Sequence, residues 1–138
     1  MKQIFVNLDL DPRNVGLFIL RQTLALTMLF NHGLPKFLSF SKKAPYFPDP
    51  LGVGSEISLM LVIFSEFICS LLLIFGVATR VVLIPLIITM VVAFFVFHSG
   101  DPFSKKELSF MFLMGYTSLF LMGGGAFSVC IDRFKNRP

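Results

Sequence analysis

Charged residues are scarce in this chain, and their scarcity excludes an ordinary water-soluble domain. They make up 14% of the 138 residues, against about 25% in a typical soluble domain. Hydrophobic residues make up 55%, 18 residues are Phe, and the mean hydropathy is +0.81. A water-soluble fold of this length has too little interior to bury so much apolar surface. Lipid removes the difficulty, because apolar side chains can then face outward.

Motifs that bind nucleic acid, metals or redox cofactors are also absent. The net charge is +4, but the Lys and Arg residues lie beside apolar runs, which predicts contact with anionic lipid and not with nucleic acid. Cys69 and Cys130 form no C-x-x-C motif and no metal-binding spacing, so we predict neither a metal site nor a disulfide. There is no dinucleotide fingerprint and no flavin motif. We therefore expect no intrinsic cofactor.

Four apolar runs approach the length of about 20 residues that a helix needs to cross a bilayer. Backbone hydrogen bonds must close within each segment in lipid, and the alternation typical of a β-barrel is absent, so the runs must be helices. We predict helices at about residues 14–38, 55–77, 80–98 and 105–131. The predicted fold class is all-α, an integral membrane four-helix bundle that forms one domain over residues 1–138. No small-residue cleavage site follows the first run, so we expect this run to be retained.

Local signals support these boundaries. Asp11 can cap the first helix, and Pro12 suits the first helical position, where its missing N–H would be unpaired anyway. Gly54 or Ser55 is the expected cap of the second helix. The sequence from Ser104 to Glu107 is typical of a capping box at the start of the fourth. The triple glycine at residues 123–125 is expected to end that helix or to permit close packing.

Four spans place both ends of the chain on one side of the membrane. The cations on that side are Lys2, Arg13, Arg80, Arg133, Lys135 and Arg137, and those on the other side are Lys36, Lys42, Lys43, Lys105 and Lys106. The difference is small, but the basic tail favours termini in the cytoplasm by the positive-inside rule. We predict a multi-pass protein of the cell membrane, with the lipid bilayer as its first partner.

Arg21 and Glu66 are ionisable residues inside apolar runs. An isolated Arg in lipid costs at least about 2.5–3.5 kcal/mol, so Arg21 should face the bundle and find a partner, unless it reaches the nearer surface. Glu66, at the centre of the second run, is the expected partner. Their pair would be structural in one interpretation. In the other, Glu66 handles protons or binds a ligand.

Helical phase predicts a polar seam through the bundle. At 100° per residue, Arg21, His32 and Lys36 fall along one stripe of the first helix. Glu66 and Ser70 fall along one stripe of the second. If the stripes face each other, they form a polar seam in an apolar bundle, although chance can also place a few polar residues in phase.

Polar residues also cluster at one membrane face. His32 and His98 end the first and third helices on this face, and Asp101 is placed to orient the His98 ring. Two His at equal depth suit a haem, a metal or a quinone carbonyl, and the alternative is interfacial His bonded to the backbone or to loop carboxylates. We predict a pocket open to the non-cytoplasmic side, with a quinone head as its ligand. The candidate site residues are Arg21, His32, Lys36, Glu66, His98, Asp101 and Glu107.

Several of these residues, in this order and spacing, resemble the DoxX family of small four-helix membrane proteins. The matching stretches are Leu20-Arg21, His32 to Lys36, Glu66 to Arg80, His98, Glu107 and Gly123 to Ser128. The resemblance covers nearly the whole chain and implies a cytoplasmic-membrane protein, with some members tied to quinone-linked sulfur oxidation or thiol redox balance. The family often has Asp two residues after the Ser of its glycine motif. This chain has Cys130 there, and Asp132 comes two residues later.

Two functional hypotheses follow. In the first, the chain is a membrane subunit of a quinone- or thiol-linked redox system, and redox partner proteins supply the cofactors. In the second, it is a non-catalytic membrane adaptor, or a protein that binds a small molecule or lipid, and the Arg21–Glu66 pair is structural. The sequence leaves open whether the chain is an enzyme and what its oligomeric state is.

Overall fold

The computed structural model describes residues 10–129, and this part of the chain is helical, with no strand. Its long helices are α1 (residues 12–38), α2 (Ser55–Phe75), α3 (Thr79–Phe97) and α4 (Phe103–Met122). A short helix, Phe40–Lys43, and a 3-10 turn, Ala44–Tyr46, lie in the connection between α1 and α2. The all-α class predicted from the sequence is confirmed for the described residues.

Three of the long helices contain a π-helical turn. These turns are Leu29–Gly33 in α1, Phe64–Cys69 in α2 and Ala93–Phe97, which ends α3. The α-helical parts beside them are Pro12–Met28 and Leu34–Leu38 in α1, Ser55–Ile63 and Ser70–Phe75 in α2, and Thr79–Val92 in α3. A π turn adds one residue to a helical turn and is frequent at functional sites. The turns in α1 and α2 pack against each other.

The long helices form an up-and-down bundle with an apolar centre. Each helix packs against its neighbours in sequence, and α4 returns to α1. Leu73, Leu83, Leu86 and Leu119 are completely buried in the main core cluster. Many large apolar side chains on the outside remain exposed. Helices α2 and α3 are long and apolar enough to cross a membrane, as expected for a bundle whose outer face contacts lipid.

The connection between α1 and α2 is organised by Asp49. Its carboxylate accepts hydrogen bonds from the Gly54 N–H (2.8 Å), the Val53 N–H (3.0 Å) and the Ser58 hydroxyl (2.8 Å). Gly54, at a φ of +102°, is the N-cap of α2, one of the two residues predicted. The bond from Ser58, followed by those from the backbone, holds the pKa of Asp49 below its usual range.

The predicted capping box at the start of α4 is wrong. Pro102 is the N-cap and Phe103 the first helical residue, so Ser104 already lies inside the first turn. The hydroxyl of Ser104 therefore sits too far along the helix to cap it. Asp101 does not cap the helix either, because its carboxylate contacts His98.

Helix α4 ends at Met122, and not near residue 131 as predicted. Gly123 turns the chain with a φ of +81°, a conformation that glycine adopts without steric cost. The glycines at residues 123–125 thus end the helix, which was one of the two predictions for them. The chain then returns to the bundle, where the Val129 N–H donates to the Phe75 carbonyl (3.2 Å). Cys130 and Asp132 lie outside the described residues.

The predicted Arg21–Glu66 pair is also wrong, because the two side chains lie at different depths. Arg21 is 1% exposed and packs beside Gly76, which ends α2. Glu66 precedes Gly76 by ten residues, or about 15 Å of helix. The Arg21 guanidinium instead donates to the Gly124 and Phe127 carbonyls, both at 3.0 Å. Arg21 therefore holds the segment that follows α4 against α1. Its guanidinium also lies beside the C-terminal end of α2, a position where the helix dipole favours a cation.

Candidate functional site

Lys36 and Glu66 form an ion pair between α1 and α2. The Lys36 ammonium donates to Glu66 Oε2 at 2.5 Å, and the two side chains are 20% and 7% exposed. Lys36 follows the π turn of α1 by one helical turn, and Glu66 lies inside the π turn of α2. A carboxylate at this depth requires a nearby cation, because lipid and apolar side chains cannot solvate its charge.

The close approach of the two helices depends on Gly33. A Cβ atom added to Gly33 would overlap the Glu66 carbonyl and the Phe67 amide nitrogen. Since Gly33 has only a hydrogen there, the π turns of α1 and α2 meet backbone to backbone. Lys36, three residues further on, is thereby brought to the same side as Glu66.

A cavity of about 520 Å³ opens beside this ion pair. Helices α2 and α3 form most of its wall, and residues of the α1–α2 connection close one end. Its lining is mainly apolar, and the polar residues among the lining are Lys36, Ser58, Ser65, Glu66 and Thr89. Three other lining residues, Leu61, Phe64 and Ile88, are exposed on the outside of the bundle, so the cavity opens toward lipid.

Ser65 and Thr89 connect the two walls of the cavity. Thr89 Oγ1 lies 2.8 Å from both Ser65 Oγ and the Pro85 carbonyl oxygen. The proline ring has no N–H, so α3 lacks the backbone hydrogen bond to the Val81 carbonyl, one turn before the Pro85 carbonyl. The hydroxyls of Ser65 and Thr89 thus provide hydrogen-bonding groups on the cavity wall, and Ser65 directly precedes Glu66 in the sequence.

Two completely buried hydroxyls lie in the bundle interior near Glu66. Ser70, one helical turn from Glu66 on α2, and Tyr116 on α4 are both 0% exposed. Neither hydroxyl has a hydrogen-bond partner within residues 10–129. They lie close to each other without reaching hydrogen-bond geometry, and Tyr116 is within electrostatic range of Glu66. Neither residue lines the cavity.

His32 lies near the ion pair but does not line the cavity. The half-buried ring packs edge-on against Phe112, with 6.0 Å between the ring centroids. Both Glu66 and Lys36 are within electrostatic range of the imidazole. Phe112 also contacts the Tyr116 ring at 5.7 Å. The structure therefore brings His32, Lys36 and Glu66 together, and Ser70 and Tyr116 lie nearby in the interior of the bundle.

His98 and Asp101 form a separate pair beyond the end of α3. His98 Nδ1 lies 2.7 Å from Asp101 Oδ2, which confirms that Asp101 orients the ring. The hydrogen bond with His98, and then the charges of Lys105, His98 and Lys106, hold the pKa of Asp101 below its usual range. Phe97 lines the cavity, whereas His98 does not.

The remaining candidate residues lie apart from the cavity. Glu107 is exposed on α4, and Arg21 lies at the level where α2 ends. No group of three His, Cys, Asp or Glu side chains within residues 10–129 is arranged to hold a metal ion. The polar groups that surround the cavity suit a ligand with a few hydrogen-bonding atoms on an apolar body.

Sequence reasoning missed three residues near the ion pair. Ser65, Thr89 and Tyr116 stand alone in apolar runs and match no motif. The one available signal was that a hydroxyl buried in a membrane helix normally needs a partner. Ser70 was found because it shares a helical stripe with Glu66.

Comparison with known proteins identifies the family. Neither the curated proteins nor the solved structures gave a match. The family model described as DoxX matches residues 16–99, more than half of the chain, and this range includes Lys36 and Glu66. Together with the two candidate spans, the match confirms the integral membrane four-helix bundle predicted from the sequence. The chain therefore belongs to the DoxX family.

Proposed function

We propose that this membrane protein binds a quinone in the cavity between α2 and α3. The observation that carries the proposal is the Lys36–Glu66 pair in the wall of an otherwise apolar, lipid-facing cavity of about 520 Å³. Sites for small amphiphiles usually measure about 300–1,000 Å³ and combine an apolar lining with a few polar groups. A quinone enters from the bilayer, so a lateral opening suits it better than one toward water.

The polar groups of the cavity match the atoms of a quinone head. The Lys36 ammonium is a donor for a carbonyl oxygen, and the hydroxyls of Ser65 and Thr89 offer further hydrogen bonds. The Glu66 carboxyl is placed to give or receive a proton. Reduction of a quinone to a quinol consumes two electrons and two protons, and Glu66 serves the proton side of this reaction.

The electrons come from another protein in this proposal. The chain belongs to a quinone-linked redox system as its membrane subunit, and a redox partner protein carries the electron-donating cofactor. The family match supports the membrane location that such a subunit needs. The protein lies in the cell membrane with both termini in the cytoplasm, so the cavity and the α1–α2 connection lie toward the non-cytoplasmic side.

A second candidate function is a non-catalytic adaptor or lipid-binding protein. The observation that favours it is the ion pair itself, because Lys36 and Glu66 already neutralise each other and join α1 to α2. Their pair replaces the Arg21–Glu66 pair that the sequence predicted. In this case the cavity holds an acyl chain, and a quinone binds no more tightly than other apolar molecules.

Thermal unfolding of the purified protein with a short-chain benzoquinone distinguishes the two functions. A quinone site predicts a concentration-dependent rise in melting temperature, equivalent to about 2.7 kcal/mol at a hundredfold excess over the dissociation constant. Ala93→Phe, which fills the cavity without changing a charge, should abolish the rise. Glu107→Gln, on the exposed side of α4, should leave it unchanged. Absence of any rise in the unmodified protein would favour the adaptor.

A further inference from the structure

One end of the cavity between α2 and α3 is crossed by residues 47–51, which we call the strap. The strap turns apolar side chains toward the cavity, and those that line it are Phe47, Pro48, Pro50 and Leu51. Asp49, between the two prolines, is exposed and does not line the cavity. Because an exposed carboxylate stays in water or among the lipid headgroups, this end of the cavity faces the membrane surface. The gap between α2 and α3 faces lipid.

The Asp49 carboxylate fastens the strap to the first turn of α2. It accepts hydrogen bonds from the Val53 N–H (3.0 Å), the Gly54 N–H (2.8 Å) and the Ser58 hydroxyl (2.8 Å). Hydrogen bonds to a charged acceptor are stronger than those between neutral groups. Ser58 is 6% exposed and itself lines the cavity, so its bond to Asp49 joins the strap directly to the cavity wall.

The backbone and the packing of the strap also fix its position. The Gly52 N–H donates to the Asp49 carbonyl (3.4 Å), and Pro50 occupies the second position of this turn, which the fixed φ of proline suits. Before the turn, Phe47 packs against the smaller core cluster, which includes the completely buried Leu59 of α2. The strap is therefore held on both sides of Asp49 and presents a fixed apolar surface to the cavity.

We propose that the strap seals the aqueous end of the cavity, with Asp49 as the positioning residue that holds it closed, so that ligands reach Lys36 and Glu66 only from the bilayer. The inference rests on the proposed function and narrows its class of ligand. A lipophilic quinone enters between α2 and α3 and leaves its tail in lipid. A small thiol or an inorganic anion dissolved in water has no path to the ion pair. The seal also keeps water from Lys36 and Glu66, which strengthens their attraction.

Thiol labelling of the protein in lipid nanodiscs tests the seal without a quinone. The reporter is Val62→Cys, at a partly buried position of the cavity wall one helical turn from Ser58. It is introduced into the full-length protein with Cys130→Ser. The same protein without the reporter gives the background from Cys69, which is 2% exposed. Two reagents are compared, a sulfonate-bearing thiosulfonate that stays in water and a phenyl maleimide that enters the bilayer, each relative to its rate with free cysteine.

A closed strap predicts that the maleimide labels the reporter at least about tenfold faster than the charged reagent, because only the maleimide dissolves in lipid. Asp49→Ala should raise the rate of the charged reagent by at least about tenfold, since loss of the hydrogen bonds makes local opening more frequent. The rate of the maleimide should stay nearly the same. Glu56→Ala removes the same charge from an exposed position in the first turn of α2 and should change neither rate.

The proposal is overturned if the two reagents label the reporter equally fast while the strap is unmodified. It is overturned equally if Asp49→Ala leaves the charged reagent slow, or if Glu56→Ala accelerates it as much. Label on Cys69 would show that Asp49→Ala unfolds the bundle. Ser58→Ala, which removes one of the hydrogen bonds to Asp49, then replaces that variant and must itself accelerate the charged reagent. Quinone-induced stabilisation of the unmodified protein tests the binding site separately, so the two failures are distinguishable.

Discussion

The Lys36 ammonium lies 2.5 Å from a carboxylate oxygen of Glu66, where the π turns of α1 and α2 meet. This pair joins two helices and also forms part of the cavity wall. Its position explains how a carboxylate is retained at the centre of an apolar run. The same ion pair therefore stabilises the contact between α1 and α2 and supplies the charged groups of the candidate site.

A double-mutant cycle measures the coupling of Lys36 and Glu66. Lys36→Met or Glu66→Gln alone removes one partner of a largely buried pair, and each should lower the free energy of unfolding by about 3 kcal/mol. The double variant should lose less than the sum of the two. The matched cycle with Arg21→Met and Glu66→Gln should be additive, because Arg21 contacts other groups. Additivity for Lys36 and Glu66 in detergent unfolding would contradict the pair.

Removal of the Arg21 side chain should release the segment that follows α4. Arg21→Met breaks two hydrogen bonds to the Gly124 and Phe127 carbonyls and should cost about 2–4 kcal/mol. Arg21→Lys should restore little, because an ammonium does not present the two-pronged geometry of a guanidinium. Arg13→Met, at an exposed position of the same helix, is the control. Limited proteolysis should cut Arg21→Met after Gly123, and equal resistance in the two variants would count against the anchor.

Gly33→Ala should separate the π turns of α1 and α2. The added methyl group overlaps the Glu66 backbone, so the helices must move apart at a cost of about 1–3 kcal/mol. Gly16→Ala, in the same helix but with open space around its Cβ position, should be neutral or stabilising. Thermal unfolding of the two variants makes the comparison, and equal melting temperatures would show that the close approach is absent.

Acid should weaken the connection between α1 and α2 through Asp49. Hydrogen bonds from Ser58, Gly54 and Val53 lower the pKa of this carboxyl in the folded state. A lowered pKa means that the stabilisation is present above the unfolded value of about 3.9 and is lost as pH falls through the folded value. In Asp49→Asn, the free energy of unfolding should therefore fall less steeply as the pH is lowered. Glu107→Gln should leave this slope unchanged, and a similarly shallow slope there would rule out a specific role for Asp49.

Reporter fusions test the orientation proposed from the cation distribution. A reporter after Pro138 should be active only in the cytoplasm, and one inserted near Lys43 should be active only outside. The reverse pattern would invert the orientation while leaving the four spans intact. The same insertions in a variant with Arg133, Lys135 and Arg137 replaced by Gln test whether the basic tail sets the orientation.

The sequence predicted the helices because their apolar length is a property of each segment alone. It also predicted the pairing of His98 with Asp101, which are three residues apart. The partner predicted for Arg21 was wrong because the true partner depends on which residues, far apart in the chain, lie at the same depth in the bundle. Arg21 binds the backbone carbonyls of Gly124 and Phe127, and every residue has a backbone carbonyl, so the sequence does not mark them. The π turns of α1 and α2 shift helical phase by one residue, and a regular period of 3.6 does not reveal them.

Photoaffinity labelling tests the central claim, that the cavity beside Lys36 and Glu66 binds a quinone. The protein in native-like membranes is irradiated with a photoreactive short-chain benzoquinone, and the labelled peptides are identified by mass spectrometry. A quinone site in this cavity predicts label on the α2 and α3 residues that line it, displaced by unmodified quinone and lost in Ala93→Phe. Label that is spread over all lipid-exposed faces, or that persists in Ala93→Phe, would contradict it.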